Sequence, residues 1–404
     1  MAIYSPANSS ELAAITTGTG DTVLLRSGVT YAASSVPTGL LTPNDITIGV
    51  SGTGSPPIIS GGVVRADWTF DAPNNVYSRP ALGGNTLGNV TEDGWPMKCV
   101  KWNTNIATTA ALMNAGQNLP YWSGSFTYDP ATNIVYIRPS AGLPSTHVYV
   151  VSEVLNGFSN SSTARNLRID GIRFESLSRH AIDLKNKLNP RISWCSFRMI
   201  GGVRPASLWL GNGIELSLGV WGAETTDCDF ADIFDSPVTS QLYEVVPARI
   251  GEHLWQRLTM RRYGLTGVEV SCQTTSNQII TDVETADIIS VDQGVNSWAG
   301  DSNGQVISHL TQGGTCQVTR CFARNITSTN HRRLYLGFRH SGVCGIEDST
   351  GTGAYFQGPR SDRDTGVSPQ RDLIRNVTDN LARVGDSWVD STATMRNNFR
   401  PTVI

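Results

Sequence analysis

Seven windows of alternating apolar and polar residues recur along this chain, and their spacing restricts the fold more than any other feature. They centre on Ile172, Cys195, Cys228, Leu258, Val283, Leu310 and Ile346, giving steps of 23, 33, 30, 25, 27 and 36 residues. Such alternation is the pattern of a strand with one buried face. A loose repeat of roughly 20–50 residues marks a solenoid, whose units bury their apolar faces only by stacking on one another. The units here hold strands, so the expected fold is all-β: a single-stranded parallel β-helix with coils of about three short strands stacked ~4.8 Å apart. A compact β-sandwich is the alternative. It calls for hairpins every ~8–12 residues, and Asn-Gly and Asp-Gly turns are scarce.

Inward residues of successive coils should then form ladders. Cys195 and Cys228 begin the related triplets "CSF" and "CDF" and are expected as neighbours, with Phe197 stacked on Phe230. A second column follows from "AIDL" at 181–184, "GIEL" at 213–216 and "GVEV" at 267–270. Their branched and aliphatic residues point inward and their carboxylates outward. Asp183, Glu215 and Glu269 should share one outer face, with Asp183 and Glu215 in adjacent coils and Glu269 two coils further on. The coil between them holds "SPVTSQLYEVV", where Tyr243 or Glu244 is the candidate outward residue; "TRCFARN" around Cys321 lies too close to Leu310 to be the same position of the next coil.

The ends and one flank depart from the repeat. Residues 1–62 are read as an N-terminal cap and first coils, with a short helix in "SSELAAI" closing the open end. Residues 63–150, which include the hairpin-like "GSFTYDPATNIVYIRPS", are read as a β-rich insertion on the side. Residues 151–358 form the main repeat. From 359 the alternation is lost, and "QRDLIRNVTDNLARV" reads as a strand pair or a short amphipathic helix, in a tail that caps the far end or mediates assembly.

Composition excludes several functions. With 31 basic and 34 acidic residues, the charge gives no case for nucleic acid or an anionic membrane. No apolar run approaches the ~18 residues of a membrane span, so no membrane insertion is expected. The seven cysteines show no CxxC pair and read as reduced, buried, small hydrophobes. No metal ligands are assigned and no cofactor is expected. The acidic run Asp227, Asp229, Asp232 and Asp235 leaves Ca²⁺ as an open alternative to a solvated face. The N-terminus shows neither the basic nor the apolar region of a secretory signal, so the chain is expected either to stay in its cytoplasm, to leave by lysis, or to have lost its signal.

"GDTVLLRSGVTY" near the start and "NLRIDGIRFES" at the opening of the regular coils resemble the pectate-lyase-like superfamily of right-handed parallel β-helices. The resemblance spans most of residues 20–356 as a pattern and fixes no catalytic residue. It implies a right-handed coil and a polysaccharide lyase, glycoside hydrolase, epimerase or bacteriophage tailspike. The missing signal favours the phage branch: a homotrimer on the virion that binds and cuts a bacterial surface polysaccharide. Otherwise the protein is expected outside the cell with its signal removed.

The outer face offers chemistry for each reading. Glycoside hydrolysis needs two carboxylates, one protonated and one ionised. Asp183 and Glu215 are the candidate pair, with Glu269 as a third; the alternative is solvated surface carboxylates. A lyase needs a base and a cation beside a uronate. Candidates are Lys185 with Arg179, His180 and Lys187; Arg261 with Arg262 and Tyr263; and the stretch 331–340, which contributes His331, Arg332, Arg333, Tyr335, Arg339 and His340. Trp209 and Trp221 flank the strand bearing Glu215 and are candidate sugar platforms, although core packing is the commoner use of Trp. The leading expectation is hydrolysis, the second β-elimination, and the third an adhesive trimer without catalysis.

Overall fold

The computed structural model describes residues 1–379 apart from 82–86, 101, 103–104, 116–122, 130, 203–210, 244–245, 247, 273–276, 294–304, 312–315, 339–341, 358–359 and 363–369. For 115, 332–333, 336–338, 342–343 and everything from 353 onward, only the backbone is described. The described chain is all-β apart from short helices, and most of it is one stack of parallel rungs. The chain passes through two parallel sheets in each rung and pairs strand on strand with the rung before. This excludes a compact sandwich built of hairpins.

The first sheet has 16 strands and curls. Its early rungs present two separate ladders, such as Arg191–Ser193 on Glu224–Thr226 and Ser196–Ile200 on Asp229–Ile233. The ladders merge in the continuous 16-residue strand Ala248–Tyr263, which is followed by Gln278–Gln293, Gln317–Arg333 and Gly342–Gln357. The second sheet has eight strands, running from Phe158–Asn160 to Arg360–Asp362.

The long strands turn corners at residues with positive φ. These recur every five residues: Glu252, Arg257 and Arg262; Asp282, Asp287 and Asp292; Arg320, Asn325 and Asn330. Earlier rungs repeat the spacing at Asn189, Trp194 and Met199, and at Gly222, Asp227 and Asp232. The left-handed region suits Asn, Asp and Gly and costs other residues about 1–2 kcal/mol. Each corner residue drops out of the ladder register, which lets four residues pair before the backbone bends.

Stacked corners are tied together. Arg257 forks onto Asp227 at 2.6 and 2.7 Å, Arg262 onto Asp232 at 2.7 and 2.8 Å, and Arg320 onto Asp282 at 2.6 Å through both contacts. Asn325 and Asn330 donate to Asp287 and Asp292. Thus Asp227 and Asp232, left open to Ca²⁺ by the sequence, are corner partners of arginines, and Asp229 pairs with Arg261.

Inside the stack, the expected aromatic ladder is present. Phe197 lies 4.6 Å from Phe230 and 5.2 Å from Phe174, with rings within 7° of parallel. Cys195 and Cys228 are buried one rung apart beside it, and all seven cysteines are buried thiols. The predicted ladder of windows is correct from Ile172 through Leu258 and then slips. Leu258 pairs with Ile288, not Val283, which pairs with His253 five residues earlier. Leu310 belongs to the second sheet, and "TRCFARN" is the next rung of the first.

At one end, the helix Ser9–Ala13 places Leu12 in the core; its N-cap is Asn8, whose side chain accepts from the Glu11 amide. At the other, Gln370–Asp379 adds a parallel strand on Gly342–Gly351, so that part of the tail continues the stack as a single strand. Between Gly62 and Ser152 the chain leaves the stack for mostly antiparallel strands, including the hairpin Gly124–Asp129 with Ile134–Pro139. Phe234 of the stack enters this lobe's core, and the Asn89 amide donates to the Met199 and Gly201 carbonyls at 2.9 and 2.7 Å. No helix among the described residues is long and apolar enough to cross a membrane.

Candidate active site

The second sheet brings the three predicted carboxylates into one column. Ser159 pairs with Asp183, Asp183 with Glu215, Glu215 with Thr239, and Thr239 with Glu269. The flanking Ile182, Leu184, Ile214, Leu216, Val268 and Val270 fill the core, so the carboxylates point away from it. Asp183 and Glu215 are therefore one ladder step apart, about 4.8 Å, and Glu215 and Glu269 two steps, about 9.5 Å. The residue between them is Thr239. Tyr243 instead packs beyond the strand end, and Glu244 lies outside the described residues.

The alternative of solvated surface carboxylates on this outer face fails for two of the three: Asp183 is 6% exposed and Glu215 1%, whereas Glu269 is partly buried. The residues preceding each strand fold over that face. Asn212 donates to Glu215 Oε2 at 2.6 Å and Thr239 does so at 2.5 Å, while Oε1 is buried without a hydrogen-bond partner. Ser236 reaches Glu269 at 3.3 Å and Asp235 at 3.4 Å. Asp235 makes a fourth acid in the cluster, away from the three aspartates with which the sequence grouped it.

Burial sets the electrostatics. It pushes the Glu215 carboxyl up to about 8, and the charges of Asp183 and Glu269 add to this against the two hydrogen bonds. Asp235 is held well above the usual carboxylate range by burial and then by Glu269 and Glu215. Glu269 is raised by burial, with Ser271 and Ser236 opposing. Like charges this close in a dry site cannot all ionise at neutral pH, and Glu215 keeps its proton there.

Of the basic candidates, Lys185 shares the strand and face of Asp183. Its Nζ lies 3.4 Å from the Tyr243 hydroxyl and 5.4 Å from the ring centre. His180 is buried and its Nδ1 accepts from the Asn212 amide at 3.3 Å. Lys187 is buried, donates to Asn160 at 2.7 Å and to the Ser162 carbonyl, and burial lowers it to about 8. Arg261 belongs to the first sheet, paired with Asp229. Trp221 sits where the chain passes between the sheets, with Arg249 6.0 Å from its ring, rather than beside Glu215. Arg333 lies on a first-sheet strand paired with Gln357; Trp209 and Arg339 fall outside the described residues. No group of three or more His, Cys, Asp or Glu among the described residues is arranged to hold a metal ion.

Sequence reasoning missed Asn212, Ser236 and Thr239, and it grouped Asp235 with Asp227, Asp229 and Asp232 instead of with the column. Thr239 carries a signal, since "VTS" keeps the in-out-in alternation of "IEL", but Ser240 replaces the second inward aliphatic residue and hides it.

The chain matches no protein-family model and no curated protein. Among solved structures it is similar to one described as XylC in complex with xylose, at 8% identity and a TM-score of 0.52, covering 94% of this chain and 68% of that one. At that identity the likeness speaks for the fold alone. A structure described as a glycoside hydrolase (10% identity, TM-score 0.44, 89% of each chain) and a siphovirus 9NA tailspike receptor-binding domain (10%, 0.28, 94% of this chain and 75% of that) lie below the similarity that carries an argument.

Proposed function

We propose that the chain is a single-stranded parallel β-helix that binds a bacterial surface polysaccharide and hydrolyses it at the carboxylate column. The observation that carries the reading is the direct register of Asp183 on Glu215; burial keeps Glu215 protonated at neutral pH. Glu215 is the general acid and gives its proton to the glycosidic oxygen. Asp183, which accepts from Ser159 at 3.4 Å, is the ionised partner. A separation near 5 Å leaves no room for a water between them, so Asp183 attacks the anomeric carbon as the glycosidic bond breaks; a water deprotonated by Glu215 then displaces Asp183 from the sugar, and the configuration is retained overall. Glu269, two steps along, raises Glu215 by its charge. As the polymer enters, Asn212 and Ser236 turn from the carboxylates onto sugar hydroxyls. The XylC likeness supports the reading through its fold; a trimeric, tailspike-like place on a virion belongs to the same reading and rests on the sequence resemblance.

The test is a bacterial glycan panel assayed for new reducing ends. A substrate cleaved by the wild type should lose at least ~10²-fold in rate with Glu215→Gln or Asp183→Asn, with circular dichroism unchanged. Full activity in both folded variants would remove the column from the chemistry. The Lys185–Tyr243 contact favours a second reading, β-elimination of a uronate with Tyr243 as base. It yields an ultraviolet-absorbing unsaturated sugar, which hydrolysis does not. A non-catalytic adhesin gives neither product.

A further inference from the structure

The first sheet carries a groove that the carboxylate column does not use. Its volume is about 530 Å³, and its lining includes Asp45, Asn166, Arg168, Asn189, Arg191 and Glu224. Thr47, Arg168, Arg191 and Glu224 are consecutive outward members of one ladder. Asp45, Asn166, Asn189 and Gly222 are the left-handed corners beside them. The groove therefore follows the stack axis across four rungs, with a polar group offered at each ~4.8 Å step.

Its charges are unevenly satisfied. Asn166 donates to Asp45 at 2.7 Å, and Arg191 reaches Glu224 at 3.3 Å. Between these pairs, the exposed Arg168 side chain makes no hydrogen bond or ion pair among the described residues. Gly222 lets the Asn189 side chain lie against the floor: a Cβ there would come within 2.3 Å of the Asn189 Oδ1. An uncompensated guanidinium, flanked by amide and carboxylate groups in a straight polar trough, suits a polyhydroxylated ligand bearing one oxyanion, because the guanidinium fork matches carboxylate and phosphate oxygens in pairs.

We propose that this groove is a second glycan-binding site, which takes a sugar unit carrying an oxyanion, carboxylate or phosphate, at Arg168. The neighbouring Asn189, Glu224 and Asp45 bond the sugar hydroxyls. The inference rests on the polysaccharide reading for its ligand class but not on cleavage at Glu215. The groove holds the polymer on one sheet while the column works on the other.

The experiment is an NMR titration of the full chain with glucuronate, glucose 6-phosphate and glucose. At least one anionic sugar should bind at least tenfold more tightly than glucose, and which one does so identifies the oxyanion. Arg168→Ala should abolish that preference, Arg168→Lys should retain part of it, and Glu215→Gln should leave it unchanged. Equal binding of all three sugars, no binding by either anionic sugar at millimolar concentration, or a preference that survives Arg168→Ala overturns the proposal. Loss of binding in Glu215→Gln also overturns it, by locating the sugar at the column. Cleavage of the glycan panel with no Arg168-dependent binding defeats this inference alone. Arg168-dependent binding with no panel member cleaved defeats the hydrolase reading alone.

Discussion

Glu215 and His253 illustrate how burial sets protonation at single residues, in opposite senses. Glu215 holds its proton up to about 8, against an ordinary value of 4.5. The native state therefore binds the extra proton between those values, and the stability it contributes is present below pH 4.5 and lost as pH rises through about 8. Catalysis through Glu215 as acid should fade over the upper part of the same range. His253 lies beneath the second sheet, where the Trp255 Nε1–H donates to Ser240 Oγ at 3.2 Å. That leaves the Ser240 hydroxyl to donate to His253 Nδ1 at 2.8 Å, so Nε2 carries the ring proton and faces the Val220 carbonyl at 3.2 Å. Burial lowers this imidazole to about 4. The unfolded chain binds the proton first, so stability falls as pH drops from 6.5 through about 4. Urea midpoints measured from pH 4 to 9 should show both slopes. Glu215→Gln should flatten only the alkaline one and His253→Gln only the acid one; slopes unchanged in both variants would refute the assignment.

Corners decide the behaviour of the elements. Asp232 is 1% exposed beneath the Arg262 fork, whereas Asp229 and Arg261 are both about two-fifths exposed. Asp232→Ala removes a buried carboxylate that receives two hydrogen bonds from a half-buried guanidinium and should cost about 2–3 kcal/mol. Asp229→Ala should cost at most about 1 kcal/mol, because solvent already screens that pair. Chemical denaturation of the two variants measures the difference, and equal costs would show that the corner forks do not stabilise the stack. The five-residue spacing behind these forks is legible in the sequence as Asp282, Asp287 and Asp292. Strict alternation hides it, because each left-handed residue adds one position outside the pairing and resets which side chains face inward. That is why the expected ladder slipped by five residues, to Val283 instead of Ile288.

At the scale of the molecule, each rung contacts mainly its two neighbours, so stability spreads along the stack and the ends need covering. Leu12 provides cover at one end. The proposed trimer gives a direct check: sedimentation equilibrium should yield three times the 43.6 kDa chain mass, and a monomer mass at micromolar concentration would remove the trimer from the reading. The lobe between Gly62 and Ser152 shares a core with the stack through Phe234, the residue before Asp235. The segment that brings the fourth carboxyl to the column is therefore anchored by the lobe.

The sequence by itself determined the parallel repeat and the column of Asp183, Glu215 and Glu269, because inward–outward alternation is a local property that survives any arrangement of the loops. Tertiary structure alone decided that Asp183 and Glu215 are buried, that Asn212, Ser236 and Asp235 join them, and that the Arg168 side chain has no partner among the described residues. Burial and charge pairing depend on which distant segments fold over a face, and alternation along one strand carries no record of that.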